Sequence, residues 1–271
     1  MAKSKQNVHP LSNVHPEAKI GVNVIIEPFA TIEKDVIIGD GTWIGSGAVV
    51  RNGTRVGVNC KIDSFAVIAG LPQDLKFKGE YTTVEIGNNT TIREFVTVNR
   101  GTAAKMKTVI GDNCLIMSYV HIAHDCVIGN NVILAGYAGL SGEVEIDDWA
   151  ILAGSSLVNQ FVHIGCHTFI GGASKVSKDV PPYVKAAREP LAYVGINSIG
   201  LRRRNFSNEK IAEIQDIYRI IFQKDMNYSD ACDYIETNMS VSPERDEIVN
   251  FIRGSKRGIM KGYDANGLSD D

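Results

Sequence analysis

No apolar run in this 271-residue chain approaches the roughly 20 residues that span a bilayer. Met1-Ala2-Lys3-Ser4-Lys5-Gln6 leads into no apolar signal-peptide core. No membrane span is expected, and the expected location is cytoplasmic. A net charge of −3, with no basic cluster beyond Arg202-Arg203-Arg204, supplies no surface for a phosphate backbone, so nucleic acid is not an expected partner. Five cysteines, an odd number without Cys-x-x-Cys spacing, suggest neither a disulfide framework nor a zinc knuckle. Reduced thiols are the simpler reading. The 44% hydrophobic and 22% charged content is that of a soluble protein with one large or two modest domains.

What the chain has instead is a period of six. Of the 29 positions taken every sixth residue from Val8 to Val176, 26 are Ile, Val or Leu, and the exceptions are Asp74, Glu80 and Ala104. This is a hexapeptide repeat. Two residues before each aliphatic, from Ala18 to Ala66 and from Val84 to Ser174, stands only Ala, Val, Thr, Ser or Cys. Period-two alternation places both residues of each pair on one face of a short strand, and a small partner at every step makes the interior narrow. Glycine often follows the aliphatic, as at Gly21, Gly39, Gly57, Gly111 and Gly129, which suits a corner with an unusual backbone conformation. Such units bury an apolar face only by stacking. Three per coil close a triangular prism of about nine coils, spaced at roughly 4.8 Å.

Pro72 to Thr83 loses two core aliphatics before the pattern resumes in phase at Ile86, and Gly101 to Lys107 lacks one at Ala104. Both read as external loops, at about 72–83 and 101–107, where function tends to concentrate. The repeat stops near Pro181-Pro182. Ser207 then reads as a helix N-cap ahead of Ile211, Ile214, Ile217, Tyr218 and Ile221 at helical spacing, with further helices over Ser229–Asn238 and Pro243–Arg253. The tail after Gly262 is expected to fray. The division is therefore 1–185 for the solenoid and 186–271 for a helical domain.

His121 lies between inward-facing Val120 and Ile122 and should point outward, and His124 falls at a corner. Three hexads after His124 comes Gly142, and three further comes Gln160. An imidazole beside a bare glycine N–H suits proton abstraction next to a developing oxyanion. Asp125 could fix the ring's tautomer. A solvated surface histidine is the bland alternative. Metal ligation by His121, His124, His163 and His167 is disfavoured, because the stacking brings neither of the last two beside His124; no metal is expected.

With the repeat, Gln73-Asp74-Leu75-Lys76, His121-Ile122-Ala123-His124-Asp125, Asp179-Val180-Pro181-Pro182-Tyr183 and Gly200-Leu201-Arg202-Arg203-Arg204 in order, the chain resembles the UDP-N-acetylglucosamine O-acyltransferases over nearly its whole length. The resemblance implies an all-β solenoid plus α, a left-handed parallel β-helix of hexapeptide repeats with a C-terminal helical domain. The crossover rule alone would suggest the opposite hand. It implies transfer of an (R)-3-hydroxyacyl group from acyl carrier protein to the 3-hydroxyl of UDP-N-acetylglucosamine, the first step of lipid A synthesis, by a homotrimer with sites between neighbours. No cofactor is implied beyond the phosphopantetheine of the carrier. By the same resemblance His124 is the general base, Asp125 its orienting partner and Gly142 the oxyanion donor. Gln73, Asp74, Lys76, His121 and Gln160 contact substrate, Asn197, Arg203 and Arg204 lie near the nucleotide or the carrier's phosphopantetheine, and Gly172 sets the acyl pocket's length. Docking of the carrier on Arg202 to Arg204 is expected to be salt-sensitive.

Asn99, Glu143 and Asn159 stand where better-known members carry histidine. Glu143 should stack on Asp125, and the two carboxylates should raise each other's pKa. Two alternatives remain open: a related hexapeptide N-acyltransferase acting on an amino sugar nucleotide, whose extra N-terminal domain has no counterpart ahead of Val8, and a non-catalytic β-solenoid binding module.

Overall fold

Each hexad outside two external loops contributes one strand of two to four residues, and successive strands belong to successive faces of a triangular prism. The computed structural model describes residues 7–224 and 226–262. The strand pairs within the prism are parallel, as in Ile25↔Trp43 on the first face, Thr31↔Val49 on the second and Lys19↔Ile37 on the third, and their register shifts only between Ile68 and Gly70, where the first loop leaves. The paired positions of the repeat fill the interior: Val24 with Ile26, Ala30 with Ile32 and Val120 with Ile122 are all buried. A short strand has no other way to bury its apolar side, so stability comes from coil-on-coil stacking.

The corners correct one expectation. The glycines that follow the aliphatics do not carry the unusual backbone. That conformation falls two residues later, at Asn23, Phe29, Asn59, Phe65, Asn89 and Asp125, with φ between 54° and 63°. Glycine is needed for close approach instead. A Cβ at Gly39 would lie 2.5 Å from Gly57 O, and one at Gly111 would lie 2.5 Å from Gly129 O.

As far as Lys175–Val176, neighbouring coils are three hexads apart except at two places. Val67 pairs with Val49, three hexads below, but with Thr97 above, five hexads on, and Thr97 pairs with His121, four hexads on. Loops equivalent to two hexads and one hexad therefore leave the prism without disturbing its phase. The first departs after Val67–Gly70 and returns at Thr83–Ile86, and the second departs after Thr97–Asn99 and returns at Lys107–Ile110. Both leave from the edge between the second and third faces, which the chain next turns at His124.

Beyond Lys175–Val176, Val184–Ala187 extends the first face and then pairs antiparallel with Ala192–Ile196. The division drawn between 185 and 186 falls inside that strand. Among the described residues four helices follow: α1 Ser198–Arg203, α2 Asn208–Gln223, α3 Tyr228–Asn238 and α4 Pro243–Gly254. Ser207 caps α2 as read from the sequence, with its hydroxyl 3.2 Å from Lys210 N. Tyr218, fully buried on α2, donates to Pro182 O and fixes the helices to the prism's end. The fraying expected after Gly262 concerns residues outside those described.

Candidate active site

His121 and His124 flank the end of the strand His121–Ile122 on the second face. The hydrophobic pair Val120 and Ile122 is buried, so His121 faces outward, half-buried, with Nδ1 2.7 Å from Thr97 Oγ1. Burial alone lowers its pKa from the ordinary histidine value. His124 lies in the turn at the edge between the second and third faces and is only 8% exposed.

Asp125 adopts φ 61°, and this left-handed turn lets adjacent side chains meet: His124 Nδ1 lies 2.8 Å from Asp125 Oδ2. The Asp125 carboxylate is fully buried and also accepts from Thr102 Oγ1 at 2.6 Å, Thr102 N at 2.9 Å and Lys105 N at 3.1 Å. Burial pushes its pKa up, but the bonds from Thr102, His124 and Lys105 outweigh burial and hold it below the ordinary carboxylate value. The raising expected at Asp125 is thus reversed, because its carboxylate is taken up by the second loop. An ionised carboxylate only accepts. His124 therefore carries its proton on Nδ1, leaving Nε2 as the basic nitrogen, and Nε2 faces Asp74 Oδ2 at 3.9 Å.

Gly142 stands on the next coil, as counting three hexads places it. A Cβ there would lie 2.5 Å from His124 Cε1, so only glycine leaves the ring its place. Gly142 O accepts from Phe161 N, while the Gly142 N–H has no hydrogen-bond partner among the described residues. Gln160 is exposed one coil further along the same edge. In the first loop, exposed Gln73 and Lys76 flank Asp74, whose Oδ1 accepts from Lys76 N at 2.9 Å. Among the described residues no group of three or more His, Cys, Asp or Glu side chains is placed to hold a metal ion.

The remaining predicted residues sit elsewhere. Asn197 and Arg204 lie at the edge between the third and first faces. Asn197 caps α1 through Gly200 N and donates to His167 O at 2.9 Å, so both ends of its amide serve the fold. Arg204 donates to Trp149 O at 3.0 Å and lies over the Trp149 ring, 5.1 Å from its centroid. Arg203 is exposed in the last turn of α1. Gly172 is at the third edge, between the first and second faces, in a column with Gly136 and Gly154.

The sequence did not point to Thr102, Lys105, Thr108 or Glu80. Thr108 Oγ1 accepts from Asp125 N at 2.9 Å. The available signal was topological: both breaks in the repeat, counted in threes of hexads, open on the same edge as His124.

A signature described as UDP-N-acetylglucosamine O-acyltransferase, domain 2, matches residues 179–260, and the bacterial transferase hexapeptide signature matches 35–70 and 107–142. The acyl-[acyl-carrier-protein]–UDP-N-acetylglucosamine O-acyltransferase of Thermodesulfovibrio yellowstonii is 42% identical over 94% of this chain and 99% of its own length. That of Chlorobaculum parvum is 50% identical over 93% of this chain and 96% of its own. This chain belongs to the UDP-N-acetylglucosamine O-acyltransferase family. Among solved structures, the UDP-N-acetylglucosamine acyltransferase of Bacteroides fragilis superposes with a TM-score of 0.92 at 50% identity, covering 94% of this chain and all of that one. The prism is thus the family's left-handed parallel β-helix, and the chain is an acyltransferase. Where the resemblance suggested histidines, Asn99 is buried and ties the first loop's base through Leu71 O at 3.0 Å, Glu143 is half-buried and Asn159 is exposed.

Proposed function

We propose that this acyltransferase moves an (R)-3-hydroxyacyl group from the phosphopantetheine thioester of acyl carrier protein to the 3-hydroxyl of UDP-N-acetylglucosamine, the first step of lipid A synthesis, with His124 as general base. The observation that carries this reading is one ring: His124 has Nδ1 held by a buried carboxylate, Nε2 open toward Asp74, and alongside it the Gly142 N–H, which has no partner among the described residues. The sugar hydroxyl gives its proton to Nε2 as its oxygen attacks the thioester carbonyl. The Gly142 N–H stabilises the oxyanion. Collapse breaks the C–S bond, and the thiolate leaves with the proton returned from Nε2. No covalent acyl-enzyme and no further cofactor is involved. Asp74, facing Nε2, favours the imidazolium formed on the way, and Gln73, Lys76, His121 and Gln160 line the sugar's approach.

The homotrimer with shared sites rests on the three edges. Arg203, and with it Asn197 and Arg204, reaches the same nucleotide as His124 only if it comes from another copy. Gly172 lies three coils along the axis from the level of His124, about 14 Å at strand spacing, and belongs to the far end of the acyl path. No helix among the described residues is long and apolar enough to cross a membrane. A carrier-bound donor and a nucleotide-bound acceptor support a cytoplasmic reaction.

The test is transfer to UDP-N-acetylglucosamine from 3-hydroxyacyl carrier proteins of graded chain length. Wild type should prefer one length, and His124→Ala should lose several powers of ten in kcat. Transfer to the 3-amino sugar alone would move the chain to the amide-forming class. An unimpaired His124→Ala would overturn the general base.

A further inference from the structure

The proton path above needs an imidazole that stays put, yet Asp125 alone could not ensure that, since a carboxylate held by one bond can swing about its side chain. The second loop supplies the missing constraint. Thr102 is 7% exposed and touches both oxygens of Asp125, its N–H on Oδ1 at 2.9 Å and its hydroxyl on Oδ2 at 2.6 Å, beside His124 Nδ1. Ala104 N donates to Thr102 Oγ1 at 3.2 Å, which takes up a lone pair and leaves the hydroxyl hydrogen for Asp125.

The second loop is itself held from two sides. Glu80, in the first loop, accepts from Lys78 N through Oε2 at 2.8 Å and from Ala103 N through Oε1 at 2.9 Å. Lys105 Nζ pairs with Glu145 on the third face at 2.5 Å. The first loop is in turn fastened to the prism by Tyr81, whose hydroxyl bonds Asp35 at 2.7 Å and Arg55 at 2.8 Å. One carboxylate, Glu80, thus joins the loop that faces His124 Nε2 to the loop that fixes the partner of Nδ1.

We propose that Thr102 is a positioning residue of this enzyme, fixing the Asp125 carboxylate and through it the His124 ring, and that Glu80 clamps the two loops so that it can. This rests on the reading of His124 as general base. Thr102→Val removes the hydroxyl while keeping shape and N–H, Thr102→Ser keeps the hydroxyl, and Glu80→Gln weakens the acceptor between the loops.

In the full-length enzyme, Thr102→Val is expected to lower kcat at least about tenfold with both KM values within about twofold, because only the orientation of the base is lost. Thr102→Ser should recover to within about threefold of wild type, and Glu80→Gln should lower kcat about three- to tenfold. A Thr102→Val enzyme with kcat within twofold of wild type, a loss confined to KM, or a failure of Thr102→Ser to recover would overturn the proposal. If thermal melting shows the valine variant unfolded, Glu80→Gln decides: unchanged kcat overturns the clamp. A wild type without transfer activity would overturn the functional reading and this proposal together, whereas an active wild type with an unimpaired valine variant overturns this proposal alone.

Discussion

Asp125 can only accept, and the second loop settles which of its oxygens accepts what. Oδ1 takes two backbone N–H groups, from Thr102 and Lys105, while Oδ2 takes the Thr102 hydroxyl and His124 Nδ1. In Asp125→Asn the amide oxygen must occupy the Oδ1 place, because an NH2 group there would meet two donors. The NH2 then donates to His124 Nδ1 and drives the ring's proton to Nε2, so that the proposed base is capped. A fall in kcat of roughly 10²- to 10⁴-fold is expected, with KM little changed, and histidine ¹⁵N shifts should report the proton on Nε2. Gly142→Ala acts on the same ring by volume, since its methyl would overlap Cε1 at 2.5 Å. Displacing the imidazole by about 1 Å should cost about 10²-fold in kcat, read by the same assay. Gly142 was legible from the sequence because the repeat fixes coil neighbours by counting. Thr102 was not, because a residue in a loop outside the period has no countable neighbour, and only the fold brings it to Asp125.

At the scale of elements, the same regularity that revealed the prism concealed how its exceptions are built. Loops worth whole hexads keep the phase, so the count of three hexads passes through them unaltered in pattern and wrong in partner. Thr97 lies under His121 through a coil of four hexads. The helix α2 was readable from its cap and spacing, and α3 and α4 were expected within a residue of where they stand, but the antiparallel pairing of Val184–Ala187 with Ala192–Ile196 was not readable, because nothing in those few residues separates it from one more coil. How the helices sit on the prism has a pH signature. His163, on the third face, packs against Phe251 of α4 with ring centroids 4.6 Å apart and bonds Asp147 at 2.9 Å. Burial lowers its pKa, but Asp147, with Glu145 and Asp179, outweighs burial and raises it above the ordinary 6.5. Its stabilisation is therefore fully present below pH 6.5 and is lost as pH rises through the raised value. His167 has the opposite sign. Burial, then Arg204, lowers its pKa to about 4, so it costs stability as pH falls from 6.5 toward 4. Urea midpoints at pH 6.5 and 8.5 should fall more for wild type than for His163→Gln; equal falls would remove His163 from the account. On the next element, Ser207→Ala deletes the α2 cap and should cost about 1 kcal/mol in the same urea titration.

In the whole molecule, one prism keeps apart the residues that the proposed reaction would bring together. His124, Asp125, Gly142 and both loops occupy the edge between the second and third faces, whereas Arg203, on α1, belongs with Asn197 and Arg204 at the next edge. Copies related by a threefold axis along their prisms could bring the first edge of one against the second edge of its neighbour, and each site would then draw on two chains. This arrangement makes a prediction that a one-chain site does not. His124→Ala and Arg203→Ala homotrimers should each be impaired, the first in kcat and the second chiefly in KM. When the two chains are unfolded, mixed in equal amounts and refolded together, some interfaces pair the intact His124 edge of one chain with the intact Arg203 of the other. Random assembly leaves about a quarter of the interfaces wild-type in both halves, so about a quarter of wild-type activity at low substrate should return. If each site lay within a single chain, every site would keep its lesion, and the mixture would do no better than the average of the two variants.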